Sequence, residues 1–150
     1  MQRGSLICAT LLLTACAKPQ DSAQPPDSTA SAVTPTSLGD VAGRWHVRGY
    51  NAAGDSIVGY EMTATADTAG WTITFPGRAA MPMRVALVSG MIRTEAGPYE
   101  SVLRRGVQVR TEGMLRLEGD SLVGSTIAHY AGAGADSVLN IRAVGKRAAP

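Results

Sequence analysis

Sixteen of the chain's 17 glycines lie at or after Gly39, at short intervals between apolar stretches. Ala52-Ala53-Gly54-Asp55, Asp67-Thr68-Ala69-Gly70, Pro76-Gly77, Ala96-Gly97-Pro98, Glu118-Gly119-Asp120 and Gly132-Ala133-Gly134 all read as turns. Between them the side chains alternate with period two. Val107, Val109, Thr111, Gly113, Leu115 and Leu117 fall on one face, and Gln108, Arg110, Glu112, Met114, Arg116 and Glu118 on the other. Trp71, Ile73 and Phe75 alternate with Thr72 and Thr74, and Val58, Tyr60, Met62 and Ala64 with Gly59, Glu61 and Thr63. The pattern predicts strands over about 42–50, 56–66, 70–76, 82–89, 91–96, 106–118, 121–130 and 137–146, with one short helical turn allowed within 98–106. Eight strands joined mostly by tight turns suit an all-β, single antiparallel up-and-down meander. Closing it into a β-barrel removes the exposed edges. The alternative is a two-sheet β-sandwich, which calls for longer crossovers than these turns allow.

Gly54-Asp55-Ser56-Ile57-Val58-Gly59 recurs as Gly119-Asp120-Ser121-Leu122-Val123-Gly124, with a fainter copy at Ala135-Asp136-Ser137-Val138. Repeated use of one hairpin turn accounts for this more simply than a duplicated ancestral unit.

The N-terminal part has a different character. Met1-Gln2-Arg3-Gly4 carries one positive charge, and the apolar run Leu6–Leu13 follows. Eight helical residues span roughly 12 Å, far less than the ~30 Å hydrocarbon core of a bilayer. The plan is that of a secretory signal, and an ordinary signal cut nearby is one reading. The run ends in Leu13-Thr14-Ala15-Cys16, however, and so closely resembles a bacterial lipoprotein signal peptide. That resemblance implies cleavage before Cys16, diacylglyceryl transfer to its thiol, and removal of Cys8 with residues 1–15. Ala17, in place of the Asp that retains lipoproteins at the inner membrane, points to the outer membrane, facing the periplasm. The chain's membrane contact is then the lipid on Cys16. Residues 17–37 hold four Pro, four Ser, four Ala and three Thr. Such a composition buries too little to offset its ordering entropy, so 16–37 read as a lipidated Cys and a disordered tether. Its root-mean-square reach is roughly 25 Å. The folded domain then covers 38–147, with a short tail at 148–150.

The start of that domain carries a second resemblance. Leu38-Gly39-Asp40-Val41-Ala42-Gly43-Arg44-Trp45 resembles the first strand of a lipocalin-type barrel, where Gly-x-Trp follows a short turn. The likeness implies that Trp45 closes one end of the barrel and that an Arg late in the last strand packs across its indole, a favourable cation–π arrangement. Arg142 is the candidate by position. The domain is shorter than a typical lipocalin and has no Thr-Asp-Tyr motif midway and no disulfide.

Chemistry-bearing clusters are few. The net charge of +2 gives no basic face for nucleic acid. Two cysteines without a CxxC exclude zinc ribbons and thioredoxin-like sites. His46 and His129 have no metal-binding spacing. Glu95 and Glu100 flank Gly97-Pro98-Tyr99, and a carboxylate pair there is the one glycosidase-like possibility. Ser101, Ser121 and Ser137 lack a nucleophile-elbow setting. Arg104-Arg105 beside Tyr99 can meet an anionic group or form a solvated turn. No catalytic, cofactor or metal site is expected. The expected function is that of a lipid-anchored envelope protein whose barrel binds an apolar or amphipathic small molecule, with Tyr60, Trp71 and Phe75 lining its site. The alternative is a structural or protein-interaction module with a filled barrel. An interior cavity of roughly 300 Å³ or more favours the first.

Overall fold

The computed structural model describes residues 36–132, 134 and 137–149. The signal segment, Cys16, most of the tether and the third turn copy at Ala135-Asp136 lie outside them. The described chain is a closed eight-stranded barrel in which every strand pairs antiparallel with its neighbours in sequence, and the last with the first. The strands are β1 (Gly43–Tyr50), β2 (Ser56–Ala64), β3 (Thr72–Thr74), β4 (Met81–Val88), β5 (Met91–Glu100), β6 (Gln108–Glu118), β7 (Ser121–Tyr130) and β8 (Val138–Arg147). This is the meander expected from the turn spacing, and the sandwich alternative falls. β3 is shorter than expected, β5 runs four residues further, and residues 98–106 hold no helix.

One four-residue helix, α1 (Leu38–Val41), precedes β1 and was not anticipated. It has a full capping box. The Ser37 hydroxyl accepts from the Asp40 N–H, and the Asp40 carboxylate accepts from the Ser37 N–H. Leu38 and Val41 are buried, so α1 plugs the end of the barrel where β1 begins.

Trp45 is fully buried at that plugged end. Its Nε1–H donates to the Val41 carbonyl at 2.8 Å, which ties the first strand to the helix. The cation over its ring is Arg147, 4.5 Å from the centroid, and not Arg142. Arg142 instead lies over Tyr50, at 4.6 Å. The β1–β8 register explains the correction: Trp45 stands opposite Arg147, and Tyr50 opposite Arg142. Arg142 is five residues along the strand, about 17 Å away at 3.4 Å per residue. It also sits between the buried Ile141 and Ala143, so it faces outward while Trp45 faces the core. Arg147 in addition donates from Nη1 to the Ala42 carbonyl and from Nη2 to the Asp40 carbonyl, at 2.6 and 2.7 Å. Those are carbonyls at the C-terminal end of α1, which no helical N–H can reach.

Gly43 is required by the same cluster. Its φ is +131°, a region that L side chains rarely adopt, and a Cβ there would stand 2.8 Å from Arg147 Nη1.

Closure is uneven around the barrel. β6 and β7 share ten paired residues, and β1 and β8 share six. β3 and β4 share two, Thr72 with Pro82 and Ile73 with Met81. One further bond runs from the Met83 N–H to the Trp71 carbonyl. Among the described pairings, Arg84–Val88 join only β5.

Trp45→Ala is expected to cost about 3–5 kcal/mol and nearly unfold the barrel. Arg147→Ala is expected to cost about 1–2 kcal/mol. In a urea-melt double-mutant cycle, Arg147 and Trp45 should couple and Arg142 and Trp45 should not. Coupling of Trp45 to Arg142 instead would contradict this register.

Candidate functional site

The strands fill the barrel unequally along its length. Toward the plugged end the inward positions are large: Trp45, Met62, Trp71, Ile92, Leu115 and Leu122 form one buried cluster. Toward the other end, the mouth, they shrink. β1 runs inward from Trp45 through Val47 to Gly49, and β5 from Ile92 through Thr94 to Ala96. Ala128 on β7 and Ala143 on β8 are further buried small residues that line the same space. Small side chains on facing strands leave space that the larger ones deny below.

That space is an apolar cavity of about 50 Å³ in the mouth half. It has room for roughly three to five water-sized groups, well short of the roughly 300 Å³ expected of a pocket for a drug-sized ligand. Tyr60 and Phe75 line it. Trp71 does not: it is buried at the plugged end, with its Nε1–H donating to the Asp67 carbonyl at 2.7 Å. Tyr99 and Tyr130 are wall residues that the sequence reading missed. Phase along β7 places Tyr130 two residues beyond Ala128 on the inner face, whereas the β5 bulge between Ala96 and Tyr99 made Tyr99 hard to place.

The aromatic rings form a connected wall. Tyr60 and Phe75 meet edge-on at 5.6 Å, and Phe75 and Tyr99 meet at 5.5 Å with a 41° tilt. Burial pushes the Tyr60 phenol well above its usual range, with Tyr99 adding to the effect. Burial also raises Tyr99, partly offset by a hydrogen bond with Thr111. Among the described residues, every buried side-chain nitrogen and oxygen has a hydrogen-bond partner.

The loop joining β5 to β6 folds over the mouth. Ser101 is buried, and its hydroxyl accepts from the Leu103 and Arg104 N–H groups, both at 3.0 Å. This turns Val102 and Leu103 toward the cavity, which both line while remaining more than a third exposed. Arg78, from the β3–β4 connection, holds the loop by donating to the Glu100 and Ser101 carbonyls. The Glu100 carboxylate accepts from the Gly106 N–H. Arg104 lies over the Tyr130 ring at 4.0 Å.

The other candidate residues do not converge. His46 is largely exposed on β1, 3.7 Å from Glu61, and His129 is exposed on β7. Glu95 pairs with Arg93 at 2.7 Å, while Glu100 is engaged by the loop backbone, so the two carboxylates serve separate partners. Among the described residues no cluster of three His, Cys, Asp or Glu side chains has metal-binding geometry. Comparison with protein-family models, with curated proteins and with solved structures finds no match.

The half-buried phenols give the barrel an alkaline limit. Below pH about 10 Tyr60 is protonated in both folded and unfolded chains. Above it the unfolded chain ionises first, because the folded pKa is raised, so stability falls as pH rises. Titration followed at 295 nm should show phenolate absorbance lagging until the barrel unfolds. Tyr60→Phe should reduce the pH dependence above 10, and an unchanged profile would contradict the burial of this group.

Proposed function

We propose that this chain is a lipid-anchored bacterial envelope protein, held through Cys16, whose barrel takes a narrow apolar or amphipathic small molecule through its mouth. The anchor rests on the Leu13–Cys16 sequence. Each buried methylene adds about 0.8 kcal/mol of membrane affinity, and two acyl chains hold where one does not. The single observation that carries the binding reading is the apolar space between the small residues Gly49, Ala96, Ala128 and Ala143 and the rings of Tyr60, Phe75 and Tyr99. Its size restricts the enclosed part of an occupant to a few carbons of an unbranched tail, the rest lying in the mouth.

The cavity's small volume favours a second reading, in which the barrel is effectively filled and acts as a docking module for another envelope component. The two separate on one titration. n-Hexanol added to the isotope-labelled barrel at millimolar concentration should shift the methyl resonances of Ala96, Ala128 and Ile141, which line the space. Ala128→Leu should abolish those shifts while lowering stability by about 1–3 kcal/mol through overpacking. Absence of any shift in the parent protein selects the filled-barrel reading.

For the anchor, labelling cells with a clickable fatty acid should mark the parent chain and not Cys16→Ser. Label retained on the Ser variant would rule out attachment at this position.

A further inference from the structure

The loop over the mouth carries more cationic than anionic side chains beside the apolar opening. Two arginines lie on the short loop that covers it, and a third is bonded to that loop from the β3–β4 connection. Arg104 and Arg105 belong to the loop, and Arg78 is bonded to its backbone at Glu100 and Ser101. One carboxylate, Glu100, stands among them, and it is turned into the loop to accept from Gly106. None of the described ion pairs involves Arg78 or Arg105, although Arg44, Arg93 and Arg116 on the barrel wall each meet a glutamate. Arg105 is exposed. Val102 and Leu103, the two residues before the arginine pair, are both cavity wall and partly exposed surface. One turn therefore sets two cavity-wall residues and two arginines in four consecutive positions, with Arg104 over the ring of the cavity-wall Tyr130.

An uncharged apolar ligand gains little from such a rim. A tail ending in an anion gains both parts, since guanidinium groups bind carboxylate and phosphate oxygens through paired N–H donors. The loop is also built to hold still: the Ser101 hydroxyl fixes its first turn, Arg78 clamps its start, and Glu100 ties back its end at Gly106. A rim fixed in place before binding loses less conformational freedom when the ligand arrives.

Resting on the binding reading above, we infer that the ligand is an anionic amphiphile, with a short acyl tail in the Tyr60–Phe75–Tyr99 cavity and its carboxylate or phosphate at the Arg104–Arg105 rim. Each charged contact at an exposed rim contributes modestly, so the expected effect of removing one is a weakening of about three- to fivefold.

The test compares hexanoate, n-hexanol and hexylammonium, equal in tail and different in head, with the parent protein and with Arg105→Gln and Arg104→Gln, read by methyl shifts at Ala96 and Ala128. Hexanoate should bind tightest and hexylammonium weakest. Arg105→Gln should weaken hexanoate about three- to fivefold and leave n-hexanol unchanged, and the preference should fade at 0.5 M salt. Because Arg104 also stacks on Tyr130, a melt of Arg104→Gln checks that the loop remains in place, and Arg105→Gln carries the result if it does not. Equal binding of hexanoate and n-hexanol overturns the anionic assignment and leaves the apolar-cavity reading standing. Failure of all three to bind removes both. Hexyl phosphate binding better than hexanoate identifies a phosphate as the head group and supports the inference. Sedimentation with phosphatidylglycerol vesicles in the absence of hexanoate and hexyl phosphate binding shows a membrane-surface contact instead, and overturns the assignment to a single bound molecule.

Discussion

The contact of Arg147 with Trp45 and the plug helix fastens the closure of this barrel at its plugged end. A meander becomes a barrel only when its first and last strands meet, and here those strands are separated by most of the folded chain. The guanidinium at the end of β8 lies over the indole at the start of β1 and donates to two carbonyls of the helix that plugs the opening. One side chain thus joins the last strand, the first strand and the plug. The indole N–H answers by donating to Val41, so the aromatic ring is fixed from both sides. Gly43 completes the arrangement by leaving room for the cation.

The mouth half follows from a different constraint, the volume each strand sends inward. Protein interiors are packed to nearly crystalline density, so a cavity survives only where the wall residues are too small to meet. Gly49, Ala96, Ala128 and Ala143 are such residues, and each follows a larger inward neighbour nearer the plug or the rim. The resulting interior is dense at one end and thinly filled at the other. The aromatic rings and threonine hydroxyls line what remains, and burial raises the Tyr60 and Tyr99 phenols above their usual range.

Strand order and sidedness were legible because alternation and turn glycines are local properties. The inner faces of β2, β3 and β6 read from Val58–Ala64, Trp71–Phe75 and Val107–Leu117 match the buried positions. Gly54 and Gly119 both take positive φ in hairpin connections, but the turns differ, five residues joining β1 to β2 and two joining β6 to β7, so the repeated segment is not one turn used twice. Pairing across the closure was read less well. The expected last strand, 137–146, stops one residue short of Arg147, and alternation places Arg142 on the outer face between Ile141 and Ala143. α1 escaped notice because four residues carry no periodicity, although Ser37 and Asp40 stand at capping-box spacing. The size of the cavity was not legible at all. It depends on how the 101–107 loop folds back over the mouth and on which way Trp71 turns, and neither is written in residue type or spacing.

The uneven pairing around the wall has a consequence for how the polypeptide is threaded. β1 and β8 are far apart in the chain yet share six paired residues, while β3 and β4, joined by a short connection, share two. The covalent break and the weakest stretch of backbone pairing therefore lie at different points on the circumference. Joining the β8 end to Thr36 and opening the chain between Thr74 and Met81 would bring them together. The resulting circular permutant would be a single ribbon whose eight strands keep their strong pairings in sequence order. Its new termini would sit where Pro82 and the charged Arg84 already discourage the addition of another strand.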